Sequence, residues 1–306
     1  MDSSVATPER IELWHLSWRD WRAVLTRVFA FMSTERVTLT AAGVSYYTLL
    51  ALFPALAALV SVYGLITDAN SLGAHLDALA GVVPESILKF VSAELTRLIQ
   101  NSSSRLGVGA VVSLLIALWS ANGGVKSMFW AMNIAYDTEE TRSFIKLNLL
   151  TLAFTLAAMA VFVVVINALV VIPLVVGALE LGALGSLLAT IIPGAIAFII
   201  VYASIVVIYR FGPSRPPAGW RWITPGAVAA AIIWLVASIG FSFYLSNFSN
   251  YDATYGTLGT AIGLLIWLYI SAFIVIVGAD VNAELEKQAM GGARPASRQV
   301  SSPSAA

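Results

Sequence analysis

Cysteine is absent from the 306 residues, and histidine occurs only twice. Without thiols there is no disulfide, no thiol nucleophile and no cysteine metal site. His15 and His75 fall on opposite sides of a membrane under the topology derived below, so they build no metal cluster between them. Charge is scarce as well: Asp, Glu, Lys and Arg make up 11 % of the chain and cancel to a net charge of zero, against about 25 % in a soluble domain. Such a chain cannot cover a water-facing surface. No glycine-rich phosphate loop ending in Lys-Ser or Lys-Thr occurs, which argues against nucleotide-driven work within this chain. No cofactor and no nucleic-acid partner are expected. The polar, Trp-rich first 35 or so residues lack the apolar core of a cleavable signal.

Apolar residues, by contrast, reach 59 %, and they are gathered in long runs. Residues 40–66 carry no charge, and 43–66 alone would extend about 36 Å as a helix, more than the roughly 30 Å of bilayer hydrocarbon. Five more runs follow at 106–136, 147–176, 182–209, 222–246 and 256–278. The expected fold is therefore all-α: a polytopic bundle of six transmembrane helices. With the N-terminus inside, the inner segments hold Arg10, Arg19, Arg22, Arg27, Arg36, Lys126, Arg142, Lys146, Arg210, Arg215, Arg221, Lys287, Arg294 and Arg298. Only Lys89, Arg97 and Arg105 lie outside. That bias fits the positive-inside rule for six crossings with both termini cytoplasmic in an inner membrane.

The expected organisation is a cytoplasmic segment over 1–36, a membrane domain over 37–286 and a disordered tail over 287–306, with the chain reading as a polar tail from Val281 onward. In the first, residues 16–32 read as an amphipathic helix with Trp18, Trp21, Leu25, Val28 and Met32 on one face. It could lie in the headgroup layer or dock on the protein's own cytoplasmic side. An outer helical subdomain is expected at about 71–104, with Ile87, Phe90, Val91 and Leu95 on the apolar side of a helix that opens at Pro84-Glu85.

Polar side chains within the runs fall in stripes. In the first, Ser45 and Thr48 share a face with Ala41 and Leu52, Tyr46, Tyr47 and Tyr63 lie nearby, and Pro54 predicts a kink. The tyrosines fit interface anchors as well as a polar cavity. The second run passes through Gly123-Gly124, which invites a break, so it reads as either a broken or an extended helix, and Asn122, Lys126 and Asn133 recur on one face. In the last run Thr260, Gly263, Trp267 and Ser271 align, which suits helix packing or a substrate-lining face. Lys126 and Asp280 are the ionisable groups at the inner ends of spans; each could also be a snorkelling or solvated terminus. A Lys126–Asp280 contact is one expectation. The cavity candidates are thus Ser45, Tyr47, Thr48, Asn122, Lys126, Asn133, Thr260, Trp267 and Asp280. A weak inverted repeat, Pro54 with Val62-Tyr63 and Pro193 with Val201-Tyr202, completes the pattern.

Three stretches together resemble the YihY/BrkB family of bacterial inner-membrane proteins: LTAAGVSYYTLLALFPAL at 39–56, LWSANGGVKSMFWAMNIAY at 118–136 and YGTLGTAIGLLIWLYISAFIVIVGADVNAELE at 255–286. The resemblance implies a six-span protein, with Asp280 as the acid of the family's Gly-Ala-acid motif. Lipid movement and sodium/proton exchange have been suggested for the family. Some members carry a ribonuclease label, for which this sequence has neither the histidines nor the acidic cluster. The absence of a mid-span carboxylate favours a non-enzymatic transporter or handler of a lipid or amphipathic envelope component over a monovalent cation/proton antiporter. A scaffold whose stripes only pack helices is the third reading. The phospholipid membrane is the expected partner, with a lipid or a cation as substrate; oligomeric state is not legible.

Overall fold

The computed structural model describes residues 17–66, 108–178, 182–216, 220–247 and 257–289, and there are no strands among them. Seven helices are described: α1 (Trp18–Met32), α2 (Glu35–Ile66), α3 (Val108–Ala135), α4 (Phe144–Ala178), α5 (Gly182–Phe211), α6 (Trp220–Asn247) and α7 (Thr257–Ala289). The protein is an all-α polytopic membrane bundle. Five of these helices, α2, α4, α5, α6 and α7, are long and apolar enough to cross a bilayer. The 28-residue α3 spans about 42 Å and carries Asn122, Lys126 and Asn133 in its second half. The outer subdomain expected at 71–104, His15, His75 and the chain beyond Ala289 lie outside the described residues.

Each helix packs on its neighbour in sequence from α2 to α7, and α7 closes back on α2 while also touching α3. No more than a third of any crossing window is buried within the protein; the rest is left for lipid. On α2, for instance, Leu39, Tyr46, Leu50 and Phe53 are exposed and share one stripe.

Three expectations are refined. The second run is not broken: α3 runs unbroken through Gly123-Gly124. Gly124 is there for approach, since a Cβ on it would sit 3.3 Å from Thr48 Cα and from Ala51 Cβ, and α2–α3 is the most extensive helix pair. The last span does not give way to a polar tail at Val281: α7 continues helical to Ala289, because α1 packs on that extension. Finally, the buried centre of α1 is Val24 and Val28 against Leu285, with Trp21, Met32, Val277 and Val281 around them. Trp18 and Leu25, expected on the same face, are exposed.

One end of the bundle gathers charged residues among those described and is fastened by them. Arg27 of α1 meets the buried Glu284 of α7 at 2.6 Å. It also donates to Gln288 Oε1, and Gln288 Nε2 donates to Asp20. Arg215, after α5, donates to Glu286 at 2.7 Å and lies over the Tyr136 ring. Between α3 and α4, Glu140 takes a two-pronged contact from Arg142 Nε and Nη2, both at 2.7 Å, plus a bond from Asn133 Nδ2 at 3.0 Å. Arg142 Nη2 donates on to Gly212 O, and Ser214 N–H donates to Asn133 Oδ1. The loops after α3 and α5 are thereby tied together.

At this end α6 and α7 cross closely. A Cβ on Gly226 would strike Gly278 O, and one on Gly278 would strike the Tyr209 hydroxyl. Pro225, inside α6, removes a rung of that helix's hydrogen-bond ladder. Asn282 of α7 serves the peptide groups beside it. Gly226 N–H donates to Asn282 Oδ1 at 2.7 Å, and Asn282 Nδ2 donates to Ile223 O at 2.9 Å.

Two predictions follow from these contacts. Replacing Asn282 by Ala removes both buried hydrogen bonds to α6, so thermal unfolding of the purified protein in lipid nanodiscs should show a loss of about 1–3 kcal/mol. Gly123→Ala, which meets nothing within 4 Å, should leave stability unchanged or slightly raised. Similar losses in both variants would contradict the packing described. The second concerns Glu140. Burial by itself would raise its carboxyl, but the hydrogen bonds and charge of Arg142, with the hydrogen bond from Asn133, outweigh burial and hold it at about 2, below its ordinary 4.5. A folded value below the unfolded one gives stability that is full above the unfolded value and is lost as pH falls towards the folded one. Melting temperature should therefore fall more steeply below pH 4.5 in the native chain than in Glu140→Gln; parallel curves would show that Glu140 contributes nothing.

Candidate functional site

Small side chains on α2, α3 and α4 leave space where bulky ones would have met. Ala51 and Ala55 of α2, Ala121 and Gly124 of α3 and Ala158 of α4 line a groove of about 370 Å³, which Leu52, Met128, Phe154, Met159 and Ile208 of α5 help to enclose. Such a volume falls at the low end of the roughly 300–1,000 Å³ typical of small-molecule sites. Phe154 stands edge-on to Phe129, with ring centroids 5.0 Å apart. The groove is almost wholly apolar and open on one side.

Its polar edge is narrow. Thr48 of α2 and Thr155 of α4 line it. Thr155 Oγ1 donates to Thr151 O at 2.9 Å and reaches Asn122 Oδ1 at 3.5 Å. Asn122 is buried behind it. A site of this kind can accommodate an apolar chain and offers hydroxyl and amide groups at one place. It presents no pair of acid and base, and among the described residues no three His, Cys, Asp or Glu side chains come together as a metal site.

The expected cavity residues are distributed more widely than one hollow. Thr48 lines the groove, and Asn122 reaches its edge through Thr155. Ser45 is buried, and its hydroxyl donates to Ala42 O at 2.8 Å. Tyr47 is exposed and packs edge-on against Tyr46. Lys126 does not reach Asp280: its Nζ donates to Asn148 Oδ1 of α4 at 2.6 Å and sits near the Trp119 and Phe144 rings, at 5.4 and 5.9 Å. Asn133 organises the loops at the charged end, as described above. Trp267 of α7 stands edge-on to Trp234 of α6, and its Nε1 donates to Ser238 Oγ at 3.4 Å. Asp280 is fully buried in α7. Thr260 belongs to α7, but its side chain lies outside the described residues.

Residues of α4 were missed by sequence reasoning. Asn148, Thr151 and Thr155 recur at i, i+3 and i+7, one face of a helix, and that stripe is the signal the run at 147–176 carries for them. Asn282 and Glu284 were missed because they follow the last apolar residue and looked like a solvated tail.

The comparisons with known proteins agree with this architecture. A family model described as Virulence factor BrkB matches residues 28–303. A protein named ribonuclease-like, YfkH, of Bacillus subtilis strain 168 is 32 % identical over 264 residues, covering 81 % of this chain and 89 % of its own. A UPF0761 membrane protein of Xanthomonas campestris is 29 % identical over 262 residues, 82 % of this chain and 58 % of its own length. The chain thus spans less than two thirds of that relative. Another UPF0761 membrane protein, from Nitrosospira multiformis, is 43 % identical over 77 residues, a quarter of this chain and 18 % of its own. No solved structure matches. A match across nearly the whole chain, on a bundle of apolar helices, places this protein in the BrkB family of membrane proteins.

Proposed function

We propose that the protein is a non-enzymatic carrier or handler of a lipid or another amphipathic envelope component. It would sit in the bacterial inner membrane with six crossings, α2 to α7, and both termini in the cytoplasm. The distribution of Lys and Arg supports that orientation, and so does the gathering of α1, the two charged loops and the end of α7 at one end of the bundle.

The observation that carries the functional reading is the groove between α2, α3 and α4. It is apolar along its length and polar only at Thr48 and Thr155, which suits an acyl chain with a polar head better than an ion. Several polar groups elsewhere in the described helices are already engaged: Lys126 with Asn148, Trp234 with Ser271, and Ser45, Ser127 and Ser204 with carbonyls of their own helices. The ribonuclease-like name of the Bacillus relative brings no catalytic residues with it to this site.

The buried carboxylate of Asp280 supports a second reading, exchange of a monovalent cation for protons. The two separate in one preparation. Purified protein in vesicles would be given a fluorescent phospholipid in one experiment and a sodium gradient with an internal pH dye in another. The first reading expects lipid to cross faster than in protein-free vesicles. Ala158→Phe, which fills the groove, should remove most of that acceleration at unchanged protein abundance. Unaltered lipid movement in that variant would refute the groove, and sodium-dependent proton flux without lipid movement would favour the second reading.

A further inference from the structure

Helix α1 has two apolar faces, and only one is covered. Val24 and Val28 are buried against Leu285 of α7. Trp18, Leu25 and Phe29 are 79 %, 43 % and 65 % exposed. At 100° per residue these three lie within about 40° of one another, so they form a single stripe of large apolar side chains beside the buried one. Arg22 and Arg19 are exposed on the flank of that stripe.

The helix cannot swing to hide this stripe, because its other face is fixed. Arg27 is held by Glu284 and Gln288, and Asp20 by Gln288. A Ser17–Asp20 capping box secures its first turn: Ser17 N–H donates to Asp20 Oδ2 at 2.9 Å, and Asp20 N–H donates to Ser17 Oγ at 3.3 Å. Ser33 and Thr34 are all that separate α1 from α2. On α2 the first exposed apolar residue is Leu39, and Tyr46, Leu50 and Phe53 continue its stripe into the lipid-facing surface. The uncovered face of α1 is thus two residues of chain away from a helix whose own exposed stripe faces lipid, and it carries cations at its rim.

We propose that α1 is a membrane-surface helix: its Trp18, Leu25 and Phe29 stripe is immersed in the interfacial layer of a leaflet containing anionic phospholipid, with Arg19 and Arg22 against the phosphates. An aromatic and aliphatic stripe bordered by arginines is the composition that binds such an interface. Because the same helix is bolted to the end of α7, the leaflet would hold the charged end of the bundle at a fixed depth. This holds whether or not the groove carries a lipid.

The absence of cysteine makes the test clean. Phe29→Cys and, separately, Thr26→Cys on the exposed polar side would each carry a nitroxide label. The full-length protein would be reconstituted in vesicles of phosphatidylglycerol with phosphatidylcholine. Collision of the label with oxygen, which concentrates in lipid, and with a water-soluble nickel chelate would be measured. The Phe29 label should favour oxygen several-fold over the Thr26 label. Adding Arg19→Gln and Arg22→Gln should move the Phe29 label towards water, as should vesicles of phosphatidylcholine alone. A Phe29 label that collides freely with nickel in the anionic vesicles would overturn the proposal. So would one shielded from both reagents, which would mean that protein covers the stripe, either a second copy or residues 1–16.

Discussion

In hydrocarbon a peptide group or side chain that cannot find its hydrogen bond inside the protein has no water to fall back on. That constraint is visible at the Pro225-Gly226 step of α6. Proline deletes a donor there, and glycine allows α7 to come close enough for one side chain, Asn282, to serve Gly226 N–H and Ile223 O together. The close contact of Gly226 with Gly278 and the bonds of Asn282 depend on each other. Remove the glycines and the amide cannot reach; remove the amide and the approach leaves a polar gap. The hydroxyls of Ser127, Thr151 and Ser204 obey the same rule by donating to carbonyls of their own helices.

The consequence is a division between the two parts of the bundle. The charged end is cross-tied: α1 to α7 through Arg27 and Glu284, the loop after α5 to α7 through Arg215 and Glu286, and the loop after α3 to that after α5 through Arg142. A buried carboxylate such as Glu284 is tolerable only with its cation in place; breaking such a pair typically costs about 3–5 kcal/mol. Away from those ties, alanine and glycine at the α2–α3–α4 junction leave the groove. The proposed lipid handling uses the loosely filled part and relies on the fastened part to keep the helices in register.

Much of this was legible in the sequence, and the limits of legibility have physical reasons. Helix bounds followed from hydropathy: the apolar runs at 147–176, 182–209 and 222–246 became Phe144–Ala178, Gly182–Phe211 and Trp220–Asn247. The inward turn of Ser45 and Asn122 was also readable from their spacing. Partner choice was not. Lys126 meets Asn148 rather than Asp280, because a long side chain finds its partner on the adjacent helix, and adjacency is a tertiary fact. Residues 281–289 looked like a solvated tail because their charges suggest water; the docking of α1 on one side, and of α6 and the loop after α5 on another, turns that extension into a buried helix. The groove escaped notice because alanine in an apolar run signals nothing until the facing residues are known.

The central claim is that lipid enters between α2, α3 and α4 and not uniformly around the bundle. Its most direct test is photolabelling in native membranes with a phospholipid carrying a diazirine in its acyl chain, followed by mapping of the modified residues. The account predicts adducts concentrated on groove residues such as Ala55, Ala158 and Met159, and fewer of them when Ala158 is replaced by Phe. Labelling spread evenly over exposed positions such as Val236 and Ile239 of α6, and unchanged by that substitution, would contradict it.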